Sequence, residues 1–139
     1  MRSDILNSNS GRGGYLANVQ TLGTGDLTLT ADDSGKIFIV SQAAAHDITL
    51  PATSLAGFHA KFILGTAGAN DVDIVAGTAD TMSGIELGDT NTAITAASDK
   101  VTFDASNAVV GDFIEVISDG SVVWVTHGAV ADAGAEHSG

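Results

Sequence analysis

Four histidines, His46, His59, His127 and His137, are the side chains of this sequence best suited to metal binding or proton transfer. None stands in an HxH, HxxxH or HExxH spacing, which would put two imidazoles on one face of a strand or helix. Surface or interface histidines are therefore expected. A pairing of His46 with His59 through non-local strands is the remaining route to a shared site. The carboxylates are many. Asp71 and Asp73, two apart, share a strand face, and Asp32-Asp33 sits in a turn, where an aspartate caps its own backbone. Calcium takes six to eight oxygen ligands, and the DxDxDG loop that supplies them is absent. A calcium site could be assembled only between subunits, and a solvated acidic face is the expectation.

Nucleophile arrangements are missing. There is no cysteine and no GxSxG elbow. Ser34-Gly35-Lys36 is not a phosphate-binding loop, because the flanking glycines are absent and Ile37 follows the lysine. LGTGDL, around Gly23 and Gly25, is a lone GxG with no strand before it and no helix after it. One Trp and one Tyr offer little aromatic lining for the cleft of a paired-carboxylate glycosidase. These residues point to a protein that is not an enzyme and uses no cofactor or metal.

Composition narrows the partners. The 139 residues suffice for one domain with a modest core, and the 17 glycines favour short strands and turns. Five basic residues stand against 17 acidic ones, for a net charge of −12. Such a surface repels phosphate backbones, so nucleic acid is not an expected partner. No stretch approaches the roughly 18 apolar residues that span a bilayer, so neither is a membrane. The N-terminus lacks the apolar region of a secretory signal. Charge is also uneven. Residues 1–25 carry Arg2 and Arg12 against Asp4, whereas Lys36, Lys61 and Lys100 face all the other acids.

Residues 1–25 show no period of 2 or 3.6, and Gly11, Gly13 and Gly14 break any helix. Apolar residues come in pairs, Ile5-Leu6 and Tyr15-Leu16, followed by Val19 and Leu22. This pattern predicts an extended arm with anchor points, able to reach about 80 Å when stretched. An arm that orders against a partner accounts for those apolar residues better than a solvated tail does.

The body, residues 26–127, is built of short strands: Asp26–Thr30, Lys36–Val40, His46–Leu50 stopped by Pro51, Lys61–Leu64, Asp71–Val75, Thr92–Thr95 and Lys100–Asp104. Met82–Leu87 reads as a turn at Gly84 with a short strand. Turn signals recur every 8–12 residues or so, the spacing of an all-β sandwich or barrel. The predicted fold is all-β, a single small antiparallel β-sandwich or barrel with an extended N-terminal arm. No fixed-length repeat of the β-solenoid kind is present, although Val72–Leu87 has the look of one coil. Residues 128–139 form a small-residue tail.

The last strand pair is the strongest local signal. In GDFIEVISDGSVVWVT, Gly111–Thr126, Asp119-Gly120 separates two runs rich in β-branched and aromatic residues. A two-residue loop would place Ile117 opposite Val122, Val116 opposite Val123 and Glu115 opposite Trp124. One face then carries Ile114, Val116, Val123 and Val125. The other carries Phe113, Ile117, Val122 and Trp124, with Glu115 among them. Both faces are largely apolar, so both require cover. Phe113, Ile117, Val122 and Trp124 are therefore candidate subunit contacts.

Three stretches together carry a resemblance: Thr30–Val40, TADDSGKIFIV; Ile48–Leu64, ITLPATSLAGFHAKFIL, where a strand ends in Leu-Pro and a glycine bend leads to the next; and Gly111–Val125, ending SDGSVVWV. Over about residues 28–126 this order resembles the small β-rich decoration, or cement, proteins of tailed-bacteriophage capsids, with related phrasing in tail-fibre modules. The resemblance implies a virion structural protein on the outer surface of the capsid. It would be an oligomer, typically a homotrimer, that bridges and stabilises neighbouring major capsid subunits. It also implies that an N-terminal arm grips the shell, here with Ile5, Leu6, Tyr15 and Leu16 in apolar grooves and Arg2 and Arg12 on shell carboxylates. A receptor- or glycan-binding module of a tail fibre or spike is the alternative. A bacterial adhesion or surface-layer subunit is a third, disfavoured by the missing secretion signal.

Overall fold

The computed structural model describes residues 16–77, 80–85, 93–129 and 135–138, with side chains described for 16–77, 80–84 and 98–125. Strands dominate. They are β1 (Val19–Thr21), β2 (Leu27–Thr28), β3 (Ile37–Ser41), β4 (His46–Thr49), β5 (His59–Thr66), β6 (Val72–Val75), β7 (Met82–Ile85), β8 (Ala93–Ser98), β9 (Lys100–Phe103), β10 (Phe113–Ser118), β11 (Val123–Ala129) and β12 (Ala135–Ser138). One 3-10 turn, Ala31–Asp33, is the helical element among the described residues. It lies where the Asp-Asp turn was expected. Asp33 Oδ2 accepts the Thr30 backbone N–H at 2.8 Å there, and Asp33 Oδ1 holds Lys36 Nζ at 2.6 Å.

The all-β expectation holds, but the sheets are mixed rather than antiparallel. Sheet I runs β1-β3-β5-β10-β11-β7-β8 and sheet II runs β12-β9-β6-β4-β2. From β1 to β6 the chain alternates between the two sheets, and each new strand lies parallel to the one before it in the same sheet. The first half is thus wound in coils. Past that point the chain doubles back: β10 adds antiparallel to β5, and β9 antiparallel to β6. The coil steps are unequal. Val19 lies beside Ile37 and Ile37 beside Lys61, while Leu27 lies beside Ile48 and Ile48 beside Ile74. No fixed-length repeat can survive such variation in the connecting turns.

Alternation along each strand decides what goes inside. In β3, Phe38 and Val40 are buried and Ile37 and Ile39 half-buried; in β5, Ala60, Phe62 and Leu64 point inward. Phe38 and Phe62 stand opposite one another in the parallel register and stack, with ring centroids 5.4 Å apart and planes 16° apart. Sheet II contributes Ile48, Leu50, Val72, Ile74, Val101 and Phe103 to the same continuous core. Each such side chain contributes about 1.5–3 kcal/mol on burial.

The closing hairpin forms, but its register differs from the expected one. Ser118 pairs with Val123, Ile117 with Trp124 and Val116 with Val125, leaving Asp119–Val122 as the loop. The cause is the Asp119 carboxylate. Its Oδ1 accepts the backbone N–H groups of Ser121 at 2.8 Å and Val122 at 2.9 Å, so Val122 is held at the turn, where its carbonyl accepts the Asp119 N–H at 3.3 Å, and does not reach Ile117. Gly120 supplies the left-handed φ of +97° that this turn requires. A further register shift follows between Glu115 and Val116, so Glu115 faces His127 and not Trp124. Because the loop change moves the register by an even number of residues, it leaves each side chain on its expected side.

Gly84 is not a turn residue. It lies within β7 at φ +149°, next to Val125 in the parallel register, and a Cβ there would collide with the Val125 carbonyl oxygen.

Candidate interaction face

The outer surfaces of the two sheets differ in chemistry. On sheet II, Asp47, Asp73 and Thr102 align across β4, β6 and β9. Asp73 Oδ2 binds Lys100 Nζ at 2.6 Å and Asp73 Oδ1 accepts the Thr102 hydroxyl at 2.6 Å. The hydrogen bond to Asp73, with attraction from Asp47 and Asp99, raises the Lys100 pKa above its ordinary value despite partial burial. This is a solvated polar face, as expected for the Asp71–Val75 segment. Asp71 itself turns to the loop, where its Oδ1 accepts the Ala105 N–H at 2.8 Å.

Sheet I presents the opposite chemistry outward. Its parallel and antiparallel registers set side chains in rows across the strands. Thr21, Ile39, Ile63 and Phe113 form one row; Val19, Ile37, Lys61 and Glu115 form the next; His59, Ile117 and Trp124 form a third. The two charges in the middle row compensate each other, with Lys61 Nζ 3.0 Å from Glu115 Oε1. Lys61 Nζ also lies 4.1 Å from the centroid of the Phe113 ring. Both charged side chains are about one-third exposed, so the pair contributes little stability, about 0–1 kcal/mol. Its effect is to place two opposite charges within an apolar field without a net charge.

Of the four candidate subunit contacts, Ile117 and Trp124 are open to solvent at 38% and 41%, while Phe113 is half-buried beneath Lys61. Val122 is half-buried in the turn, outside the ladder. The other hairpin face, Ile114, Val116, Val123 and Val125, lies in the core. One apolar face is thus covered by the body and the other is not. Trp124 is fixed in place: its Nε1–H donates to Asp119 Oδ2 at 2.7 Å. That bond, followed by those from the Val122 and Ser121 backbones, holds the Asp119 carboxyl below the usual aspartate range.

Beside Ile117 the face dips into a cleft of about 360 Å³ spanning β3, β5 and β10. Its walls are Ile37, His59, Lys61, Glu115 and Ile117, and Gly35 leaves one side open. The side chains of Ala60 and Val116 are in the core, so these residues form the floor through their backbones. His59 Nδ1 sits 3.0 Å from the Gly57 carbonyl, and its Nε2 points towards Gly35.

Of the two histidines whose side chains are described, His46 and His59, neither lies near the other. His46 is buried on sheet II, with Nδ1 3.0 Å from the Ala44 carbonyl and Nε2 without a partner, whereas His59 is exposed on sheet I. Among the described residues no group of three or more His, Asp or Glu side chains is placed to hold a metal ion. Of the arm residues, Arg2, Ile5, Leu6, Arg12 and Tyr15 lie outside the described residues. Leu16 is described and is 77% exposed, leading into edge strand β1, where Val19 is 55% exposed.

The sequence pointed to the exposed side of the hairpin but missed the Lys61–Glu115 row and the cleft. A signal was present. KFIL and FIEVIS each carry a single charge, of opposite sign, in an otherwise apolar strand, which suggests a cross-strand pair. The chain matches no family model, and comparison with curated proteins and solved structures found no match.

Proposed function

We propose that this chain is a non-enzymatic structural protein of a tailed-phage virion. It binds the outside of the capsid and stabilises it by bridging neighbouring major capsid subunits. The observation that carries this reading is the division of the body into a charged outer face on sheet II and an apolar one on sheet I. One face suits water, and the other suits a protein surface. The sequence resemblance gives the class of partner. In this reading residues 1–25 enter from the β1 edge of the apolar face. They lay Ile5, Leu6, Tyr15 and Leu16 into grooves of the shell, with Arg2 and Arg12 on its carboxylates. A few hundred Å² of apolar contact per arm, at about 25 cal/mol per Å², amounts to several kcal/mol before ordering costs. Repetition over an oligomer multiplies the hold through effective concentration. The test is composition and binding. Hundreds of copies in purified particles, with binding to empty heads lost on deletion of residues 1–25, is the expected result. Absence from particles, or full binding without the arm, overturns it.

The tail-fibre reading gains support from one feature, the exposed indole of Trp124 beside a cleft that has His59, Lys61 and Glu115 among its walls, an arrangement suited to sugar stacking. Labelled protein that binds intact host cells but not empty heads would favour it.

A further inference from the structure

The outer face of sheet I has a property that the capsid reading does not use: it is complementary to itself. Trp124 stands out from β11, next to Ile117 in the cross-strand register, and Ile117 is one wall of the cleft. An exposed aromatic and a hollow are therefore neighbours on one surface. At about 360 Å³ the hollow is more than twice the roughly 150 Å³ void that accepts a benzene ring, so an indole fits. Its walls suit one: Ile37 and Ile117 are apolar, and Glu115 and His59 offer polar atoms at the rim.

Charge selects the partner. With a net charge of −12, two copies repel one another across most of their surfaces. The outer face of sheet I is the exception. Lys61 is matched by Glu115, and Lys36 at its margin by Asp33. Of the three lysines, only Lys100 lies elsewhere, on sheet II. Among the described side chains Asp119, bonded to Trp124 Nε1, is an acid of this face without a cation, so two copies meet here with less repulsion than elsewhere rather than with none. Lys61 and Glu115 also supply one charge of each sign, so their pairing can be exchanged between copies with neither left bare.

We infer that the outer face of sheet I pairs with the same face of a second copy about a two-fold axis, each copy seating its Trp124 in the other's cleft. In a two-fold contact residue i meets j and j meets i, so one knob and one hollow are used twice. The bond from Trp124 Nε1 to Asp119 fixes the indole before association, which lowers the ordering cost of docking it. Such a pair differs from the homotrimer that the resemblance implies, and it belongs to the free protein, independent of any shell.

Trp124 is the single tryptophan of the chain, so tryptophan emission comes from this position alone. The experiment is sedimentation of the full chain over a concentration series, with tryptophan emission read on the same samples and no capsid present. The expected result is a dimer whose emission moves to the blue as it forms. Trp124→Ala weakens the pair at least tenfold. So does Ile37→Glu, which alters the far wall of the cleft and leaves the indole in place. Circular dichroism confirms that the variants fold, and Ile37→Ser serves if the glutamate does not. A monomer at every concentration, a trimer, or a dimer whose emission stays constant and which tolerates the Ile37 variants overturns the inference. None of these outcomes bears on whether the protein is found on particles.

Discussion

Gln42 Nε2 donates to the main-chain carbonyl of Phe103 at 2.9 Å, joining the end of β3 in sheet I to the end of β9 in sheet II. The same amide nitrogen reaches the Asp104 carbonyl at 3.1 Å, and Oε1 accepts the Gly68 N–H at 3.1 Å. Gln42 is fully buried. A buried polar side chain is tolerated when its donors and acceptors are used, and this one uses them to tie β3 and the turn after β5 to the end of β9 in the other sheet.

Gln42→Leu keeps the volume and removes those bonds. Each buried group left without a partner costs about 1–3 kcal/mol, so a loss of about 3 kcal/mol is expected. Urea unfolding checks it: the midpoint should fall with the m-value unchanged. A midpoint within error of the wild type would mean that the buried amide contributes nothing net.

Gly84→Ala should be among the costlier single-methyl additions in this fold. The backbone there has φ +149°, and the new Cβ would overlap the Val125 carbonyl oxygen, forcing β7 away from β11. A loss of about 2 kcal/mol or more is expected, in the range of strained backbone positions. Gly23→Ala is the control: it meets nothing within 4 Å and has no positive φ, so its effect should be within about 1 kcal/mol of zero, on the stabilising side. Thermal melts of the two variants give the comparison.

Acid should loosen the closing turn before it unfolds the body. The folded pKa of Asp119 is depressed, chiefly by the Trp124 indole N–H. A depressed carboxyl contributes stability that is fully present above its unfolded value, about 3.9, and is lost as pH falls through the folded value. Emission of Trp124 in dilute protein should therefore stay constant from neutral pH to about 4 and change below it. Asp119→Asn keeps an oxygen for the backbone but cannot bind the indole as a carboxylate does, and should abolish that step. An unchanged acid step in this variant would assign it to another group.

The strands themselves were legible because alternation is a local property. Ile37–Ser41, Val72–Val75 and Phe113–Ser118 each show which side is buried in their own residues. Partner choice was not legible. The parallel coils depend on turns of unequal length, such as those between Thr21 and Leu27 and between Thr49 and His59, so no repeat marks them. The hairpin register failed for a chemical reason. Asp-Gly signals a two-residue loop only when the aspartate carboxylate does not capture the next N–H groups, and Asp119 captures two. At the interaction face, Ile117 and Trp124 could be named in advance because both hairpin faces were apolar. The cleft could not, because it is made by three strands distant in sequence and by the missing side chain of Gly35.

The position of the hairpin within sheet I has a consequence for synthesis. β10 and β11 lie in the middle of the sheet, between β5 on one side and β7 on the other, yet both follow β8 along the chain. While the ribosome is still making them, the coiled half ends in the open edge of β5 and the β7–β8 pair has nothing to lie against. The nascent protein must wait, with two bare sheet edges, for the insertion that joins them. Delay at that point invites strand exchange between neighbouring chains on a polysome. The heavy negative charge would then act first as protection during birth, keeping unfinished copies apart until the central strands close the gap.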